Sequence, residues 1–254
     1  MLAESLSFFS SNGLGGFAFR WLHILVGIMW IGLLYYFNFV QVPAFAAFGD
    51  EGRARNIAID KVARKALWWF RWAAVSTFIT GILITIVTPD YFTDGFGTNS
   101  GGIAISTGML LGTIMMLNVW GVIWRNQKVV LANAVNVLNG GEADPNAAAA
   151  GRKALMASRQ NAIFSVSMLF FMVYKGHAPA AGQTLESGVG LYWAITMILI
   201  VILELNALGL MPWKAQPNKG LNVLYDGKGV RNPLIAAFGL WVIFLILSET
   251  ILIP

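Results

Sequence analysis

Runs of about twenty apolar residues recur along this chain, and that length is what a helix needs to cross a bilayer. Six stretches qualify: 17–40, 67–87, 103–124, 160–177, 189–210 and 234–253. The sequence is 57% hydrophobic and only 11% charged, whereas soluble domains average about 25% charged residues. A soluble fold is excluded, and the pattern predicts an all-α polytopic membrane protein of about six transmembrane helices in one bundle, a single membrane domain over 1–254 with no internal repeat. The fourth stretch is the weakest. Its uncharged part runs only from Gln160 to Tyr174, so it is expected to tilt within the bundle, sit beside thinned lipid or borrow its ends.

Orientation follows from the basic residues. With six crossings, the loops 41–66, 125–160 and 211–233 share one side, and they hold fourteen of the 17 Lys and Arg; Arg71 stands at the same end of the second span, leaving Arg20 and Lys175 opposite. By the positive-inside rule those loops are cytoplasmic and both termini face the periplasm of a bacterial inner membrane. The net charge of +5 then reflects topology and contact with anionic lipid; it gives no reason to expect nucleic acid. The N-terminal MLAESLSFFSSNGLGG carries no Lys or Arg and reads as mature protein, since a cleavable signal has a charged start. Within the inner loops, Asp50–Lys65 and Gln127–Leu138 suit short helices lying along the cytoplasmic interface, the second with Val129, Val130, Ala134, Val137 and Leu138 on one stripe. Asp144–Pro145 reads as the cap and first-turn proline of a further helix through Ala147–Ala157. Thr88–Gly102, rich in Gly, Thr and Asp, reads as an ordered outer turn.

The sequence has no Cys, which excludes disulfides, iron–sulfur clusters and covalent CxxCH haem attachment. Ionisable groups inside spans are then the informative ones. His23 lies about two turns into the first span, with Gly27 and Trp30 on its face, an arrangement that offers a flat surface to a macrocycle. His177 ends the fourth span, so both of the chain's histidines come out near the outer side. Two imidazoles from different helices suit bis-axial ligation of haem b, with the iron on His23 and His177, or on Met172 or Lys175 should His177 not serve. Arg20 and Lys175 are placed to meet its propionates. The competing reading makes His23 a partner of a neighbouring helix and leaves His177, Arg20 and Lys175 as interfacial anchors. A bare metal site lacks ligands, because two His do not fill a Zn or Cu shell. Glu204 and Asn118, with Asn206, Thr113 and Glu249 as lesser polar groups, suggest a proton path; the alternative pairs Glu204 with Arg71 or another inner cation.

At four blocks the sequence resembles the membrane-embedded N-terminal domain of the membrane-integral urate oxidase (urate hydroxylase) family: RWLHILVGIMWIG at 20–32, WFRW at 69–72 with STFITG after it, GMLLGTIMMLNVWGVIWRNQKVVLA at 108–132 and SRQNAIFSVSMLFFMVYKGH at 158–177. The first block is also similar to the first helix of haem-b membrane proteins related to protoporphyrinogen oxidase and copper-resistance proteins. The resemblance implies a haem-binding redox bundle. It also implies a C-terminal cytochrome c, for which a Cys-free sequence has no attachment motif, and histidines where this chain has Trp68, Ser106 and Gln160. The expectation is therefore a membrane redox protein that exchanges electrons with a separate periplasmic c-type cytochrome. Two rivals belong to other classes: a cofactor-free accessory subunit of a larger respiratory or photosynthetic complex, and a small-molecule or ion transporter.

Overall fold

The computed structural model describes residues 13–88, 91–92, 96–214, 216–226 and 229–252. Six long helices carry the fold among them: α1 Gly16–Ala47, α2 Gly52–Val87, α3 Ser100–Leu138, α4 Ala147–His177, α5 Val189–Ala207 and α6 Arg231–Leu252. Five of these, all but α4, are long and apolar enough to cross a membrane. No strand occurs among the described residues, only one isolated bridge between Asn99 and Thr184. The terminal segments that bear on chain orientation, 1–12 and 253–254, lie outside the described residues, as do Lys228 and parts of the 88–99 connection.

The polarity of α4 has a structural cause. This helix runs about 46 Å at 1.5 Å per residue, and α1, α3, α5 and α6 all pack on it. Arg159, Gln160, Asn161, Ser165 and Ser167 are buried in it beside Ile163, Phe164, Met168 and Phe171. Protein neighbours supply hydrogen bonds that lipid cannot, so this helix need not be apolar. Tyr35 Oη lies 2.8 Å from Ser165 Oγ, and Asn38 donates to Ser158 Oγ at 2.9 Å, fastening α1 to α4. By contrast, α1, α5 and α6 present Ile24, Ile28, Ile198, Val201, Phe238 and Ile246 to the exterior, a surface suited to hydrocarbon.

The extensions of α2 and α3 differ from expectation. Asp50–Lys65 and Gln127–Leu138 were expected to lie separately on the membrane surface, but they are largely continuous with α2 and α3. The reason is that their apolar stripes meet each other and the start of α4: Ile59, Ala63, Leu131, Ala134, Ala150 and Ala154 are all buried, and Arg64 reaches the Leu131 carbonyl at 3.5 Å. Likewise the helix expected over Ala147–Ala157 does not stop there. It begins after the Asp144 carboxylate accepts the Asn146 N–H at 2.8 Å and continues unbroken to His177.

Several helices contain a single π-helical turn, at Tyr36–Gln41, Ile59–Ala63, Val119–Ile123 and Ser248–Leu252. The first precedes Pro43, which has no N–H to donate, and a widened turn there accommodates the missing bond. At the start of α3, Asn99 caps the helix by accepting the Gly102 N–H at 2.6 Å. Helix α5 ends before the expected 210, because Gly209 takes φ +73° and Leu210 N–H returns to the Leu205 carbonyl at 2.9 Å, a Schellman-type stop.

Candidate functional site

The end of the bundle where α2 finishes and α3 begins holds the first candidate. His23 on α1 points at α2, where its Nδ1 is 3.0 Å from Thr80 Oγ1. The Thr80 hydroxyl proton is already committed to its own helix, with the Ser76 carbonyl at 2.7 Å and that of Thr77 at 3.0 Å. The hydroxyl oxygen therefore accepts from His23, which places the imidazole proton on Nδ1 and leaves a lone pair on Nε2. Gly81 makes room: a Cβ there would stand 3.3 Å from His23 Cε1. The same face of α1 packs on α2. The space beside Gly27 is filled by Thr77, whose Cγ2 lies 3.8 Å from where a Cβ would be, and Trp30 is 3% exposed within the core. Helices α1 and α2 thus meet along small residues.

His177 lies elsewhere. It is exposed at the end of α4, and its Nδ1–H donates to the Val173 carbonyl of its own helix at 3.2 Å. No hydrogen bond links it to His23 among the described residues. Arg20 and Lys175, however, do converge. Lys175 Nζ sits 4.5 Å from the Tyr91 ring centre and 4.6 Å from that of Phe96, and Arg20 is within electrostatic range of both Lys175 and Tyr91. Burial holds the Tyr91 phenol above its ordinary pKa, against the opposing charge of Arg20. Met172 packs against Gly108 of α3.

The second candidate lies toward the opposite end of the bundle. Asn118 of α3 donates both amide protons, to Asn161 Oδ1 of α4 and to Glu204 Oε2 of α5, each at 3.1 Å. Asn161 in turn donates to the Met115 carbonyl at 2.9 Å. Glu204 thus has a neutral amide partner, and the pairing with Arg71 weighed from sequence does not form: the Arg71 guanidinium stacks on Trp124. Below Glu204, the Tyr225 hydroxyl donates to Gln160 Oε1 and lies 3.1 Å from the Leu203 carbonyl. Burial, and then the nearby Glu204 charge, push the Tyr225 phenol well above its ordinary range. Gln160 is wholly buried with its Nε2 lacking a partner.

An ion cluster joins the start of α4 to the loop before α6. Arg152 grips Asp226 with two bonds of 3.0 and 2.9 Å. Arg159 donates to the Tyr225 and Gly229 carbonyls and stands 4.0 Å from Asp226. Burial alone would raise the Asp226 carboxyl, but the Arg152 bonds, the Asn218 N–H and the two guanidinium charges outweigh it and hold the group below the usual carboxylate range. Asn161, Tyr225 and Asp226 were not singled out from sequence. Tyr225 and Asp226 sit in a loop of ordinary composition, and only the return of that loop onto α4 brings them to Gln160 and Arg152. Neither known protein families nor curated proteins nor solved structures yield a match to this chain.

Proposed function

We propose that this chain is a redox protein of the bacterial inner membrane, with α4 as a sixth crossing, the basic loops inside, both termini outside, and His23 as a ligand to haem b in the outer half. What supports the reading is the state of His23: an intramembrane imidazole whose Nδ1–H is held by Thr80 and whose Nε2 carries a free lone pair, the form in which histidine binds metal. Haem b, when bound, supplies a one-electron couple. The chain's own residues do the rest. Thr80 fixes the tautomer and ring plane, and His177 is the only other imidazole in the sequence. Arg20 and Lys175 gather positive charge on the outer side, where it suits propionates or the acidic surface of a c-type cytochrome.

A reduced-minus-oxidised spectrum of protein purified from haem-sufficient cells tests this. b-type α and Soret bands are expected, lost in His23→Ala. A colourless preparation, or bands unchanged in His23→Ala, overturns the proposal. Urate supplied anaerobically with a c-type cytochrome is expected to remain unoxidised, because Trp68, Ser106 and Gln160 stand where the resembled family implies histidines.

The Asn118–Glu204 pair favours a second reading, a proton or ion path entering from the inner side. Reconstituted vesicles carrying wild type or Glu204→Gln decide it: pH-gradient dissipation that disappears in the variant would establish transport.

A further inference from the structure

Arg71 lies seven residues into α2 from Arg64, about 10 Å along the axis, and no carboxylate pairs with it among the described residues. Its guanidinium carbon is 3.4 Å from the Trp124 ring centre and 5.8 Å from that of Trp120, and the Trp120 indole N–H donates to the Arg71 carbonyl at 3.3 Å. Lys128 Nζ approaches the same Trp124 ring at 6.0 Å. Two cations therefore share one indole, and the Arg71 Nε–H is buried without an acceptor. Cation–π attraction holds each of them in place but neutralises neither, so the arrangement is short of an anion.

The surroundings say which anion. The indole series continues outward, Trp120 to Trp72 at 5.6 Å and Trp72 to Trp68 at 6.3 Å. Trp68 and Trp72 are 47% and 45% exposed, and half-exposed indoles belong at the headgroup level of a bilayer. The basic residues Arg64, Lys65 and Arg125 mark the same end of α2 and α3, which is the side that attracts anionic lipid. Glu204, the span carboxylate weighed from sequence as the partner of Arg71, is engaged by Asn118. We propose that Arg71 and Lys128, set around Trp124, bind the phosphate of an anionic phospholipid, with Trp68 and Trp72 lying against its glycerol and upper acyl region.

Native mass spectrometry of the full chain in detergent, titrated with phosphatidylglycerol or phosphatidylcholine of identical acyl chains, tests the site. Phosphatidylglycerol is expected to bind preferentially, and Arg71→Gln and Lys128→Gln each to weaken that preference about fivefold, the contribution of one basic side chain at an anionic surface. Arg71→Lys, which keeps charge but loses the planar stack, should fall between. Arg125→Gln, an exposed neighbour outside the Trp124 cluster, should weaken the preference less than either. Should Arg71→Gln not yield folded protein, Lys128→Gln carries the test, since that side chain is exposed. Equal binding of the two lipids, preference unchanged in Lys128→Gln, or an equal loss in Arg125→Gln overturns the proposal. So does displacement of phosphatidylglycerol by an equal concentration of inorganic phosphate, which would make the site one for a soluble anion.

Discussion

Helices α4 and α5 lie side by side and solve opposite problems. The 31 residues of α4 include a central Arg–Gln–Asn run that is enclosed by other helices. The 19 residues of α5 are almost wholly apolar, yet Leu191, Ile198 and Val201 are among its exposed side chains. The difference teaches that hydropathy reports the neighbours of a helix and not its depth. A helix touching lipid must be apolar, because hydrocarbon offers no hydrogen bonds, whereas one surrounded by protein can carry amides and even a guanidinium if partners are built for them.

The comparison breaks most easily at Arg159. Replacing it with Ala strips the Tyr225 and Gly229 carbonyls of their donor and removes one of the two cations facing Asp226, and breaking a buried ionic cluster costs about 3–5 kcal/mol. A thermal unfolding scan in detergent should show the loss; a wild-type melting curve would mean that α4 is not the hub. Gly108→Leu comes next. A Cβ at 108 already stands 3.4 Å from the Met168 carbonyl oxygen and the Met172 nitrogen, so a larger side chain forces α3 from α4 at about 1–3 kcal/mol, visible in the same scan.

Acid sharpens the picture further. Because the Asp226 carboxyl titrates below its ordinary range when folded, its contribution is present above the unfolded carboxylate pKa and is lost as pH falls through the depressed folded value. Melting temperature measured from pH 7 downward should therefore drop in the acid range, and Asp226→Asn should flatten that limb while lowering the plateau. The smallest effect belongs to α5. Ile198→Ala, at a position 58% exposed, should change stability by under about 0.5 kcal/mol, and a loss comparable to that of Gly108→Leu would show that α5 is covered by protein.

The sequence made some of this readable and hid the rest for physical reasons. Apolar runs mark α1, α2, α3, α5 and α6 because lipid imposes a composition on each. The fourth run looked deficient because its environment is protein, a property of the assembled bundle. His23 and Glu204 stood out as ionisable groups among apolar ones. Asn118 stood out with Glu204 as a polar group within a span, but nothing in sequence joined two residues 86 positions apart, and Thr80, 57 positions from His23, did not stand out at all, because a short polar side chain is unremarkable until the helices are paired. The extensions of α2 and α3 were misjudged on the same ground, since an amphipathic stripe looks alike whether it meets lipid or another stripe.

The π turn at Val119–Ile123 acts as a phase shifter within one rod. Widening a single turn by a residue rotates everything after it by about 100° relative to an uninterrupted α-helix. Upstream of that turn, Asn118 aims at Glu204; downstream, Trp124 aims at Arg71. Deleting one residue within 119–123 would restore the ordinary winding and swing the C-terminal segment of α3 through more than a quarter of a revolution, parting Trp124 from Arg71 and Leu131 from its burial while leaving Asn118 where it is. Two aims held in one continuous helix thus depend on a single residue's worth of slack.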